Sequence, residues 1–220
     1  MHGVSCWSSE NQLGEAMPLK WSEITKHRNK LLLKKLPVIS RNPMDMWDLV
    51  EDHIGNNDTV LDVGAGRAEY RKRFPKSVKY YTMDVDPDVK VDYRSLKGIN
   101  KKFDDVLMLN VVEHLTIKQL ERYADDIRKI LKPGGKLIIW THNVAAIPDI
   151  THHDFSHVQH YPVADLYGIL NLHGYELDGA YRVVDNRGLK RIRNILKRIL
   201  CLILEADYAW GILLVVKKGK

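Results

Sequence analysis

The stretch Thr59-Val-Leu-Asp-Val-Gly-Ala-Gly-Arg-Ala-Glu-Tyr70 decides the fold. Val60, Leu61 and Val63 make a short apolar, β-branched run whose one charge is Asp62, the composition of a buried strand. Gly64 and Gly66 end the run. Glycine permits positive φ and lets a ligand approach the main chain. Helix formers follow from Ala68 to about Phe74. The stretch therefore predicts a strand whose carboxyl end opens onto a helix N-terminus, where ligands sit in open α/β sheets. It lacks the third glycine of the dinucleotide fingerprint, because Arg67 and Ala68 follow Gly66. On its own it is equally an ordinary strand-to-helix turn, so the flanking spacing has to decide.

Downstream, Val78-Lys-Tyr-Tyr-Thr-Met83 reads as a second strand ending in Asp84-Val-Asp-Pro87. An acid there, about 20 residues past the glycines, can accept hydrogen bonds from ribose hydroxyls. Asp84 fits better than Asp86, which can instead cap a turn with Pro87. The remaining pattern predicts a helix over 67–74, a short strand over 89–91, strands over 105–110 and 136–141, and a helix over 117–131. A helix over 164–172 and strands over 175–184 and 210–216 follow. Val106 to Leu109 and Leu137 to Ile139 are unbroken apolar runs, as in strands covered on both faces. Alternation of this kind implies a parallel sheet with helices on both sides. Upstream, Asn42 and Pro43 read as a helix start, and Met46, Leu49, Val50, His53 and Ile54 as its apolar stripe.

In this order the motifs resemble those of S-adenosylmethionine-dependent methyltransferases of the Rossmann-like class. Leu61-Asp-Val-Gly-Ala-Gly66 is similar to the family's first motif, and Asp84 to its ribose-binding acid. Asp92, with Leu96 and Phe103-Asp104, resembles the segment whose carboxylate meets the adenine amino group. Asn110-Val-Val-Glu-His-Leu115 resembles the segment after the fourth strand, and Leu131-Lys-Pro-Gly-Gly-Lys136 the turn before the fifth. The resemblance covers roughly residues 40 to 180 and departs at Ala68, where the family usually has glycine. It implies an α/β, doubly wound, mostly parallel seven-stranded sheet with an antiparallel last strand. S-adenosylmethionine is the implied cofactor. Its implied contacts are Asp62, Gly64, Ala65, Gly66, Asp84, Val85, Asp92, Tyr93, Asn110, Val111 and His114.

The chain has 220 residues, enough for one α/β domain. Residues 1–40 read as an N-terminal extension that caps the site, and 41–220 as the methyltransferase domain. Cys6 and Cys201 have no metal or redox spacing, which suits a reducing cytoplasm. No leader-like segment or membrane-spanning run is visible. The net charge of +6 belongs to the tail, since Arg182 to Lys220 holds ten Lys or Arg against Asp185, Glu205 and Asp207. A basic amphipathic helix is expected at 188–204 as an insertion. Its stretch 189–204 suits packing on the sheet edge, a dimer interface or peripheral contact with an anionic membrane. The sequence does not set the oligomeric state.

His142, His152, His153, His157 and His160 crowd the segment after the fifth predicted strand, beyond the carboxyl end of the sheet. Asp154, Ser156 and His157 match a "D-x-T-H" pattern that the resembling enzymes carry there. If the acceptor is a hydroxyl, a base that takes its proton helps, and imidazole titrates near neutrality. His157 is the first candidate, His153 the second and His160 the third. Binding without proton transfer is the alternative role for each. The spacing of His152, His153, Asp154, His157 and His160 is also one that zinc, iron or nickel accepts. No cysteine joins it and an extended loop scatters its side chains, so no metal is expected. Glu113 and His114 read as lining the pocket.

No Asn/Asp-Pro-Pro-aromatic segment follows the fourth predicted strand and no cysteine stands there, which argues against base methylation of DNA. The resulting expectation is methyl transfer to oxygen of a small molecule or a glycan or lipid-linked precursor. The rivals are a non-catalytic cofactor-binding subunit and an RNA or protein methyltransferase. An NAD-dependent oxidoreductase is disfavoured by the glycine spacing.

Overall fold

A computed structural model describes residues 46–144, 146, 154–183 and 209–219, together with Lys26. The expected cap at 1–40, the helix start at Asn42 and Pro43, His152, His153 and the basic helix at 188–204 fall outside these residues, apart from Lys26.

Among the described residues, six strands form one sheet: β1 Thr59–Val63, β2 Lys79–Met83, β3 Phe103–Leu109, β4 Leu131–His142, β5 Tyr175–Val183 and β6 Gly211–Lys218. Their spatial order is β2-β1-β3-β4-β6-β5. The first four in that order run parallel, and β6 is antiparallel to both β4 and β5. The chain winds one way from β1 to β2 and the other way from β3 to β4. This places a topological switch point between the carboxyl ends of β1 and β3.

Strand side chains alternate between faces, and both faces are buried. Leu61, Val63, Val106, Met108, Leu137, Ile139 and Leu214 pack with helices α2 (Ile117–Ile130) and α3 (Val163–Leu172). Val60, Leu107, Leu109, Ile138, Trp140 and Leu213 pack instead with α1 (Met46–Asp52), through Trp47, Leu49 and Val50. That two-sided burial explains why these strands carry unbroken apolar runs. Helix α2 buries Leu120, Ala124, Ile127 and Ile130 along one stripe. It begins at a capping box, with Gln119 N–H donating to the Thr116 hydroxyl and Thr116 N–H donating to Gln119 Oε1; such a cap contributes about 1 kcal/mol.

Two expected elements differ. The helix over 67–74 is a 3₁₀ turn confined to Glu69–Arg73. Ala68 takes φ 55°, ψ 35° just before it, and a left-handed residue cannot be the first turn of a right-handed helix. The short strand over 89–91 does not form. Asp86-Pro87-Asp88 makes a turn, and Arg94 donates to the carbonyls of Asp86 and Val89. One parallel bridge, Met83 to Tyr93, is what remains at that edge. Tyr93 N–H donates to Thr82 O, and Asp84 N–H to Tyr93 O. The bridge occupies the place a seventh strand would hold, outside β2.

Candidate functional site

The first half of the site is made by the loop after β1. Gly64 and Gly66 take φ 73° and 50°. The amides of Gly64 and Ala65 both donate to Met83 O, at 2.8 and 3.2 Å, so the loop is stitched to the end of β2. Gly66 N–H donates to Asp84 Oδ2 at 2.8 Å, and Asp86 N–H to Asp84 Oδ1 at 2.9 Å. A carboxylate has about four acceptor positions, so both oxygens retain capacity for another donor. The two glycines differ in their surroundings. A Cβ on Gly64 would lie 2.5 Å from Val111 Cγ2, whereas one on Gly66 would meet nothing within 4 Å. Gly64 is thus glycine because Val111 fills the place a side chain would take, whereas the side-chain direction of Gly66 is open.

The other residues of the expected cofactor set divide by accessibility. Asp62 is 1% exposed, and Tyr80 donates its hydroxyl to the carboxyl group. Burial, partly offset by that hydrogen bond and reinforced by Asp84, pushes Asp62 up to about 7. It is closed to solvent and tied to β2 through Tyr80. Asp92 Oδ2 accepts from Thr82 N–H at 2.8 Å and from its hydroxyl at 2.9 Å, which pins the segment after β2. Val85 projects into solvent, and Tyr93 lies beside Tyr81. Asn110 takes φ 57° directly after β3, a conformation that Asn tolerates better than most residues. Its N–H donates to Trp140 O at 2.9 Å, and its buried Oδ1 has no hydrogen-bond partner. These residues surround the switch point from three strands.

The second half lies where β3 and β4 end. Val111 touches Gly64, and Glu113 follows two residues later, in a 3₁₀ turn over Val112–His114. Glu113 is 3% exposed. Thr141 donates its hydroxyl to Glu113 Oε2 at 3.1 Å, and His142 Nδ1 lies 3.5 Å from Oε1. The loop carrying His157 is clipped over this turn. Val158 and Gln159 N–H donate to Glu113 O at 2.9 and 3.2 Å, and Tyr161 OH to Leu115 O at 2.8 Å. The His157 ring is thereby held 5.0 Å from that of His114 and 5.3 Å from that of His142, centre to centre. Asp154 Oδ2 stands 4.0 Å from His157 Nε2. Ser156 N–H and hydroxyl bonds, with the nearby imidazoles, hold the Asp154 carboxyl below its usual range.

His157 is therefore brought to the site. His153 lies outside the described residues, and His160 does not join the cluster. Glu113 goes further than lining a pocket, because it organises the cluster. His142, the last residue of β4, was not singled out by sequence. The available signal was topological: β3 and β4 are parallel neighbours, with Leu109 opposite Trp140, so residues just past both strands must meet.

A family model described as a methyltransferase domain matches residues 24–179. The chain belongs to that family. It is a methyltransferase by that match, and its motifs fall where the geometry above places them. No curated protein sequence matches the chain. Among solved structures, it is similar to a SAM-dependent methyltransferase from Archaeoglobus fulgidus, with 17% identity over 90% of this chain and 100% of that one, at TM-score 0.61. It is also similar to the N-methyltransferase NodS from Bradyrhizobium japonicum WM9 (15%, 92% and 100%, TM-score 0.51). A third likeness is to the [4+2]-cyclase SpnF (15%, 79% and 80%, TM-score 0.55). At such identities the likeness is one of fold. A fold that carries both a methyltransferase and a cyclase leaves the particular reaction of this methyltransferase to its site.

Proposed function

We propose that this methyltransferase uses S-adenosylmethionine to methylate an oxygen of a small molecule or of a glycan or lipid-linked precursor. Residues 41–220 form the catalytic domain and 1–40 its extension. The observation that carries the reading is adjacency. An open glycine loop braced by Asp84 sits one residue contact, Gly64 to Val111, from an imidazole cluster at the ends of β3 and β4.

The residues fit the cofactor. The space above Gly66 leaves its main chain accessible, and Asp84 has acceptor capacity left for ribose hydroxyls. Asp92 and Tyr93 border the place where an adenine would lie. When bound, S-adenosylmethionine supplies a methyl group activated by its sulfonium. The protein's part is to hold the acceptor in line, keep water out and manage one proton. His157 takes that proton from the acceptor hydroxyl, with Asp154 near one ring nitrogen and His114 beside the ring. Phe155 and Val158 of the same loop are exposed, which suits an acceptor with an apolar portion. The basic stretch 189–204 is the segment that would meet an anionic membrane bearing such an acceptor.

Turnover against a panel of hydroxyl acceptors tests the reading. His157→Ala is expected to lower turnover about 100-fold at saturating cofactor, and a loss below tenfold would exclude His157 as the base. Methylation of RNA or of a protein side chain, with no turnover of the panel, would replace the acceptor class.

A further inference from the structure

The cluster contains two buried polar atoms that face each other without a hydrogen bond. Glu113 Oε1 and His142 Nδ1 both lack a hydrogen-bond partner and stand 3.5 Å apart. Leaving such groups unsatisfied in a protein interior costs on the order of 1–3 kcal/mol each. His157 completes the group: one ligand atom from each of Glu113, His142 and His157 lies within 4.8 Å of the others. Two ligand atoms bound at ~2.0–2.1 Å to one tetrahedral zinc are about 3.3 Å apart. The Glu113–His142 separation is close to that value, and the loop clipped over Glu113 holds His157 beside them. Two imidazoles and one carboxylate are a donor set that zinc and neighbouring divalent transition ions accept.

The surroundings orient these ligands. Thr141 occupies the other carboxylate oxygen, Oε2, so Oε1 alone is directed at the two imidazoles. Asp154 stands 4.0 Å from Nε2 of His157, so a carboxylate borders the ring, and carboxylates beside ligating histidines are a recurring support. His114 Nδ1 lies 3.1 Å from Ser156 O, which fixes the loop next to His157.

We propose that Glu113, His142 and His157 bind one divalent transition ion of the zinc type at the acceptor end of the site. The ligands named here differ from the loop-only grouping suggested by histidine spacing, because His142 ends β4 and Glu113 lies in the 3₁₀ turn after β3. Three protein ligands on a four-coordinate ion leave one position for water or an acceptor oxygen. A hydroxyl bound there gives up its proton to solvent more readily, and its oxygen then forms the new bond to carbon as the carbon–sulfur bond breaks. The proposal rests on the methyl-transfer reading for its purpose. It also changes the part played by His157, which holds the ion when the ion is present.

The test uses the full chain purified without an affinity tag. Zinc content is measured after equilibration with Zn(II), and Co(II) is titrated while its visible absorption is followed. The expected result is one ion per chain, with binding weakened at least tenfold by Glu113→Gln, His142→Ala and His157→Ala, and unchanged by His160→Ala. Calorimetry with S-adenosylmethionine on each variant reports whether the fold survives. His157→Ala, on the loop, keeps the test readable should a buried variant not fold. No stoichiometric ion, or binding indifferent to all three substitutions, overturns the proposal and leaves Glu113 and His142 as an ion pair. Full turnover by metal-free protein, lost in His157→Ala, would likewise overturn it while upholding the base reading. Ion binding by a protein that never binds S-adenosylmethionine would uphold the site and remove the methyl-transfer reading.

Discussion

The two halves of the site are built on different principles. The loop over Gly64 to Ala68 is made of main chain: two amides on Met83 O, one on Asp84, and three residues at positive φ. The cluster of Glu113, His142 and His157 is made of side chains, drawn from a 3₁₀ turn, a strand end and a loop. Main-chain geometry constrains few residue types but constrains them strongly, so it leaves a compact mark in sequence. A side-chain cluster needs three residues that are distant in sequence and meet because β3 lies beside β4. The first region suits a ligand shared by many enzymes. The second is free to differ with the acceptor.

Substitutions at the two glycines test the first half hardest. Gly64→Ala would place Cβ against Val111 at a positive φ. Backbone strain and overpacking together should cost roughly 2–4 kcal/mol, visible as a large drop in thermal midpoint with loss of cofactor binding. Gly66→Ala meets no atom and should cost only about 1 kcal/mol of backbone strain, yet weaken S-adenosylmethionine binding at least tenfold. Unchanged binding by Gly66→Ala would mean that Gly66 does not border the ligand.

Next in size is a substitution that should separate the halves. Glu113→Gln is expected to reduce turnover by about 100-fold while leaving the cofactor dissociation constant within a few-fold. Steady-state kinetics and calorimetry on the same preparation check it. A parallel loss of both would show that the halves are one structural unit.

Two buried acids within the sheet, Asp62 of β1 and Asp105 of β3, give a pH dependence. Burial, with Asp58 beside it and Lys136 in partial opposition, pushes Asp105 up to about 8, and Asp62 is pushed up to about 7. An unfolded aspartate titrates near ~3.9, so the folded chain binds these protons more tightly. Their contribution to stability is complete below ~pH 4 and is lost as pH rises through 7 to 8. Denaturant unfolding should therefore show stability falling from about pH 4 to about pH 8 and levelling off above that. Asp105→Asn should flatten that slope and add on the order of 1 kcal/mol at the alkaline end. An unchanged slope would contradict the assignment.

The smallest effect concerns Ala68. Its φ of 55° makes Ala68→Gly a relief of strain that outweighs the added freedom of the unfolded chain. A gain of about 0.5 kcal/mol is expected, against a loss of about that size or more if the residue were in a helix.

Ala68 also shows where legibility ended. The strands, α2, α3 and the place of Asp84 could be read, because period, apolar runs and glycine positions are local. The helix over 67–74 was misread, because the composition from Ala68 onward favours helix while the backbone needs a left-handed residue to leave the glycine loop. The strand over 89–91 gave way to the turn at Pro87, whose ring and tied carbonyls leave one bridge. Glu113 and His142 could not be paired from spacing, since they meet only through the sheet. Of the crowded histidines, His142 and His157 contribute to the cluster among the described residues, and His160 does not.

Calorimetric titration of S-adenosylmethionine into the native chain, Asp84→Ala and His157→Ala addresses the central claim most directly. One site is expected on the native chain, with binding weakened at least tenfold by Asp84→Ala and little changed by His157→Ala. No binding to the native chain, or equal binding to folded Asp84→Ala, would contradict it.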